Sequence, residues 1–157
     1  MRLPAILPLL AAAAAVTFAA TPAQAASCVG EQSAGTTKLE IIATDLRNGD
    51  GEVAFTVYPD ERRRFLASGA KLARDRVPTV APATTACFWL PPGHYAVANY
   101  HDENGDRKFN RTLFSIKEGF GVSNDAPTTL GLPTFEAARF HLPAEGLTMR
   151  IRTRYSR

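Results

Sequence analysis

The chain has 157 residues, 45% hydrophobic and 21% charged, with 18 basic against 15 acidic side chains and a formal net charge of +3. That excess is too slight to argue for a nucleic-acid partner. The length allows one domain of ordinary size once a leader is set aside.

The first residues carry a targeting pattern. Arg2 is a short positive region, Leu3 to Ala20 is apolar, and Ala23-Gln24-Ala25 is a small-x-small cleavage site. The expected organisation is a signal peptide over 1–25, an N-terminal tether over 26–37 and a β domain over 38–157. No later run is apolar enough to span a bilayer. The protein is therefore expected to be exported, periplasmic or secreted, with no transmembrane segment after cleavage. A lipid anchor at Cys28 would ask for a larger aliphatic residue where Ala25 stands. In an oxidising compartment, Cys28 and Cys87 are expected to form a disulfide.

Several segments read as strands in chain order. Leu39, Ile41 and Ala43 alternate, then Arg47-Asn48-Gly49-Asp50-Gly51 forms a turn cluster, and Val53, Phe55 and Val57 alternate again. This spacing predicts a hairpin. Asp60 is placed to cap a helix running through Leu66. Pro78 and Pro82 make 77–83 a connector or a broken edge strand. A strand over 84–90 follows, then the Pro91-Pro92-Gly93 turn and a strand to Tyr100, whose alanines suggest close approach of an opposite sheet. The stretch 112–124 is aromatic and Gly-rich, and Gly119 and Gly121 on either side of Phe120 predict a bent segment lying over the loop before it. Phe135 to Leu142 reads as a strand, with Glu136-Ala137-Ala138 also suiting a helical turn. Leu147, Met149 and Ile151 face inward on a last strand, with Arg150, Arg152 and Arg154 outward. The predicted fold is an all-β antiparallel sandwich of about seven strands, immunoglobulin-like or transthyretin-like.

The stretch that carries chemistry is His101-Asp102-Glu103-Asn104-Gly105-Asp106-Arg107-Lys108-Phe109-Asn110. Asp102, Asn104, Asp106 and Asn110 stand at positions 1, 3, 5 and 9 of a loop, with the Lys108 carbonyl at position 7. Oxygen ligands at odd positions are how a short loop surrounds calcium. Calcium is the one cofactor this spacing suggests. Three departures stand against a standard calcium loop: Gly105 falls at position 4, Arg107 at position 6 where the sharp turn wants Gly, and Leu113 at position 12 where a bidentate Glu belongs. A metal-free, hydrogen-bonded Asx turn is the competing reading. His94, His101 and His141 do not have zinc-site spacing. No Gly-x-Ser-x-Gly element, phosphate loop or dinucleotide fingerprint occurs, so no catalytic residue is assigned.

The residues from Pro91-Pro-Gly-His-Tyr-Ala through the Asp102 loop to Asn110, with Glu118-Gly-Phe-Gly-Val-Ser-Asn124, closely resemble the bacterial exported family called domain of unknown function 2141. Its members share a Pro-Pro-Gly-x-Tyr-Ala strand, a His-Asp-x-Asn-x-Asn loop and a Gly-aromatic-Gly-x-Ser-Asn segment. The resemblance runs from about Leu39 to Tyr155 and implies a small exported β-sandwich of unknown role. Where the family loop has a second Gly and an Asp, this chain has Arg107 and Asn110. The Pro-Pro-Gly turn also resembles transthyretin-like and carboxypeptidase-regulatory modules, as a matter of fold alone. The leading expectation is a non-enzymatic module, calcium-stabilised, that binds a cell-envelope or extracellular partner. A purely structural domain ranks second. A small periplasmic hydrolase of transthyretin-like type ranks third, because the Tyr-Arg-Gly-Ser ending of that class is replaced here by Thr153-Arg-Tyr-Ser-Arg157.

Overall fold

The computed structural model describes residues 27–110, 117–127 and 132–155. The expected signal peptide and the beginning of the bent 112–124 stretch lie outside the described residues. Among the described residues, eight strands form two sheets. β1 is Thr37–Thr44, β2 Glu52–Pro59, β3 Ala73–Pro78, β4 Thr84–Leu90, β5 Gly93–Asp102, β6 Gly119–Val122, β7 Phe140–Leu142 and β8 Leu147–Arg152. One sheet has the order β4-β1-β8; the other runs β3-β2-β5-β6, with β7 also paired to β5.

The alternating apolar residues predict the core faces. Leu39, Ile41 and Ala43 of β1 meet Val53, Phe55 and Val57 of β2 in one buried cluster, joined by Phe88, Val97, Leu142 and Ile151. Both sheets thus contribute to a single core, which is where most of the folding free energy of a β domain resides. The expected β1–β2 hairpin does not form. β1 pairs with β4 and β8, and β2 pairs with β3 and β5. Each of the two strands is central in its own sheet, flanked on both edges, and their inward faces meet across the core instead of side by side. Leu46, buried in the core, anchors the 45–51 stretch as it crosses between sheets.

Other expectations are revised. β8 runs parallel to β1, so the antiparallel rule fails for one pair. Of the 77–83 stretch, Val77 and Pro78 end the edge strand β3. The helix predicted after Asp60 is only a 3-10 turn at Arg62–Arg64 with no side-chain cap. The Asp60 carboxylate instead accepts two hydrogen bonds from Arg139, at 2.6 and 2.8 Å. A short helix, α1 (Phe135–Ala138), precedes β7, with the Thr134 hydroxyl accepting from the Ala137 N–H. The β5 alanines do not face the opposite sheet. Ala96 packs with Val122, Phe135 and Ala138, and Ala98 borders the same cluster, on the outer face of the larger sheet.

Cys28 and Cys87 are joined by a disulfide, with Cα atoms 4.6 Å apart. Beside it the Val29 N–H donates to the Cys87 carbonyl at 2.9 Å and the Trp89 N–H to the Val29 carbonyl at 2.8 Å. The tether is thereby stitched along β4. Arg150 and Arg152 are exposed on β8, an edge strand of its sheet, where charge discourages edge-to-edge pairing. Among the described residues, no helix is long and apolar enough to cross a membrane.

Candidate functional site

The acidic loop connects the end of β5 to β6. Asp102 closes β5 opposite Glu52 of β2, and its side chain is fully buried. Backbone packing enforces this placement. Gly51, directly before β2, has φ +60°, and a Cβ there would come within 1.9 Å of the Asp102 carbonyl oxygen, so that position tolerates only glycine. One Asp102 oxygen, Oδ2, accepts from the Arg107 N–H at 2.7 Å and from Arg76 Nη1 at 3.3 Å. The other, Oδ1, is buried with no hydrogen-bond partner among the described residues. An unpaired buried carboxylate oxygen costs free energy unless something compensates it.

The loop is built from consecutive Asx turns. The Asp106 N–H donates to Asn104 Oδ1 at 3.1 Å, and the Lys108 N–H donates to Asp106 Oδ1 at 2.8 Å. Gly105 and Arg107 both take the left-handed conformation, with φ +69° and +61°. Arg107 therefore makes the sharp turn that normally calls for glycine, held by its N–H bond to Asp102. Its carbonyl accepts from Arg76 Nη2 at 3.1 Å. Arg76 also reaches Glu52 at 2.6 Å and the Tyr100 hydroxyl, so one guanidinium ties two strands to the loop.

The loop closes on a residue that spacing did not suggest. The Asn110 N–H donates to Glu118 Oε2 at 2.9 Å, and its side-chain amide donates to Glu118 Oε1 at 3.2 Å and Asp106 Oδ2 at 3.0 Å. Glu118 is buried, at 5% exposure. Asp102, Asp106 and Glu118 each bring a carboxylate oxygen to within 4.8 Å of the other two. Oxygens bound at about 2.4 Å to a common calcium lie no more than about 4.8 Å apart, so the trio has the span of a cation site. Burial pushes the Glu118 carboxyl above its ordinary range, and the Asp102 and Asp106 charges push the same way. The Asn110 amide and the Lys108 N–H hold Asp106 below its ordinary range. A hard divalent cation would relieve the repulsion that opposes ionisation of Glu118.

Of the five residues suggested by spacing, Asp102 and Asp106 join this trio. Asn110 touches two of its members through the amide nitrogen, and an amide rotation would offer its oxygen instead. Asn104 directs its oxygen to the Asp106 N–H, and Lys108 is exposed with its N–H on Asp106. Glu118 was missed because the acid was sought at loop position 12. It lies eight residues beyond Asn110, and its one sequence signal is a Glu set directly before Gly119-Phe120-Gly121.

The remaining shared motif residues hold the frame. The Val97 N–H donates to Ser123 Oγ at 2.9 Å, and Ser123 donates to the Ala138 carbonyl. Asn124, with φ +60°, donates to the Ala137 and Arg139 carbonyls at 3.1 and 2.9 Å. His101 is buried between the Tyr155 hydroxyl and the Asp50 carbonyl, each at 2.7 Å. The His94 and His141 rings meet across β5 and β7, tilted by 49° with centroids 4.8 Å apart. The three histidines are thus divided between two places.

These features define a small two-sheet β protein with a carboxylate-lined loop at one strand end. Residues 41–150 match the family of uncharacterized proteins conserved in bacteria, DUF2141, and the chain belongs to that family. No curated protein and no solved structure matches it.

Proposed function

We propose that the protein is an exported, non-enzymatic module with a β-sandwich of immunoglobulin-like or transthyretin-like type. It engages a partner in the cell envelope or outside the cell, and a calcium ion braces it at Asp102, Asp106 and Glu118. The observation that carries the calcium reading is the convergence of the Asp102, Asp106 and Glu118 carboxylates, with the buried Asp102 Oδ1 having no partner among the described residues. Three carboxylates and the Asn110 amide oxygen, with water, reach the six to eight oxygens calcium takes. The cation would compensate the orphan oxygen and link the end of β5 to the start of β6. Export is supported by the leader pattern of residues 1–25 and by the disulfide, which persists in an oxidising compartment.

Calorimetric titration with calcium tests the site. The expected affinity is weak, about 10⁻⁴ to 10⁻³ M, as in extracellular modules, with a higher melting temperature at millimolar calcium. Asp102→Asn should remove both responses. A titration without heat and a melting curve indifferent to calcium would reduce the loop to architecture. Mass measurement of the protein purified from culture tests export: a mature chain beginning at Ala26 is expected, and an intact Met1 in the cytoplasm would overturn it.

A further inference from the structure

On the face of the larger sheet turned away from the shared core lies a cleft of about 500 Å³. Thr56, Tyr58, Ala98 and Tyr100 line its floor, alternating with the core residues Phe55, Val57 and Val97. The volume is that of a small-molecule site. Two features of its walls indicate what would fit.

The first is a set of rings. Phe109 packs against Tyr100 with centroids 5.4 Å apart and against Phe120 at 5.8 Å, and all three border the cleft with Tyr58. Ring faces and edges at such separations favour a flat apolar body over a flexible polar one. The second is uncompensated charge. Lys71 and Arg74 line the cleft, and none of the described residues lining it is acidic. Arg74 Nε donates to Thr56 Oγ1 at 2.8 Å. Neither cation pairs with a carboxylate among the described residues. Elsewhere Arg47, Arg76, Arg139 and Arg152 all have such partners. Cations left unpaired beside an aromatic floor suit a ligand that supplies the anion.

We propose that this cleft binds a small aromatic anion, an aryl carboxylate or sulfonate, with the ring lying among Tyr58, Tyr100, Phe109 and Phe120 and the anionic group on Arg74 and Lys71. The proposal goes beyond the calcium reading and does not depend on it.

The test is a fluorescence titration with 8-anilinonaphthalene-1-sulfonate and its uncharged counterpart N-phenyl-1-naphthylamine, in calcium and again in EDTA. The expected result is saturable one-site binding of the sulfonate, weakened by added salt. In the Lys71→Gln/Arg74→Gln double variant its affinity should fall about ten-fold or more, as loss of charge-assisted bonds implies, while the uncharged probe changes much less. Lys71→Gln alone alters an exposed side chain and supplies the comparison if the double variant loses its near-ultraviolet dichroism. Absence of saturable sulfonate binding overturns the proposal, as does equal affinity in the variants or equal loss for both probes. Because the EDTA series is read independently, failure of the calcium site leaves this outcome unaffected.

Discussion

Asn110 grips Glu118 twice, through its backbone N–H at 2.9 Å and its side-chain amide at 3.2 Å. The contact joins the last residue of the acidic loop to the residue that begins the approach to β6. It brings a third carboxylate to Asp102 and Asp106, and it makes Glu118 the most informative position for substitution.

Glu118→Gln should act with opposite signs in two conditions. Without a divalent cation, it removes a buried carboxyl that burial and two neighbouring carboxylates already disfavour as a charge, so the melting temperature should stay level or rise. With calcium, it removes a ligand, so the calcium-induced rise should shrink. A ligand at ten-fold excess over its Kd contributes about 1.4 kcal/mol by linkage, and that contribution is what the variant should lose. Paired melting curves in EDTA and calcium read both effects. A fall in the EDTA curve as large as that in calcium would assign Glu118 to architecture.

Gly121→Ala should destabilise the domain without touching the loop's chemistry. A Cβ at that position would lie 2.4 Å from the Arg152 carbonyl oxygen and 2.7 Å from Ile151 Cγ2. Overpacking of this kind costs about 1–3 kcal/mol. Urea unfolding should show a lower midpoint, and an unchanged midpoint would mean that β6 and β8 separate more easily than their packing implies.

Opening the Cys28–Cys87 bond should release the tether from β4. The bond closes a loop of sequence separation 59, for which chain entropy gives about 4 kcal/mol. The Cys28→Ser/Cys87→Ser double variant should therefore unfold at lower urea by roughly that free energy, with the core dichroism of the folded state retained. A loss under about 1 kcal/mol would show that the unfolded chain gains little freedom when the bond is absent.

The Asp60–Arg139 pair should make a small pH-dependent contribution. Hydrogen bonds from Arg139 hold the Asp60 carboxyl below its ordinary value of 3.8. A lowered folded-state pKa stabilises above the unfolded value, and the contribution disappears as pH falls through the folded one. The melting-temperature difference between the protein and Arg139→Gln should therefore be constant from neutrality to about pH 5 and vanish in stronger acid. The pair is exposed, so the difference should be small and reduced by salt. A difference that grows on acidification would contradict this sign.

The amino-acid sequence by itself determined the local facts. Alternation placed Leu39, Ile41 and Ala43, and likewise Val53, Phe55 and Val57, on core faces, because a strand turns successive side chains to opposite sides. Two cysteines permit one intramolecular pairing, and Asn and Asp at odd loop positions favour Asx turns. Tertiary structure decided which strands meet. The glycine-rich stretch after β1 has hairpin chemistry, yet it carries the chain into the other sheet, where β2 lies between β3 and β5. It also decided the third carboxylate and the aromatic cleft. Glu118 reaches Asp102 because β6 pairs with β5, and Lys71 and Arg74 approach Tyr100 because β3 borders β2. Such contacts depend on burial shared between distant segments, and short-range periodicity carries no record of that.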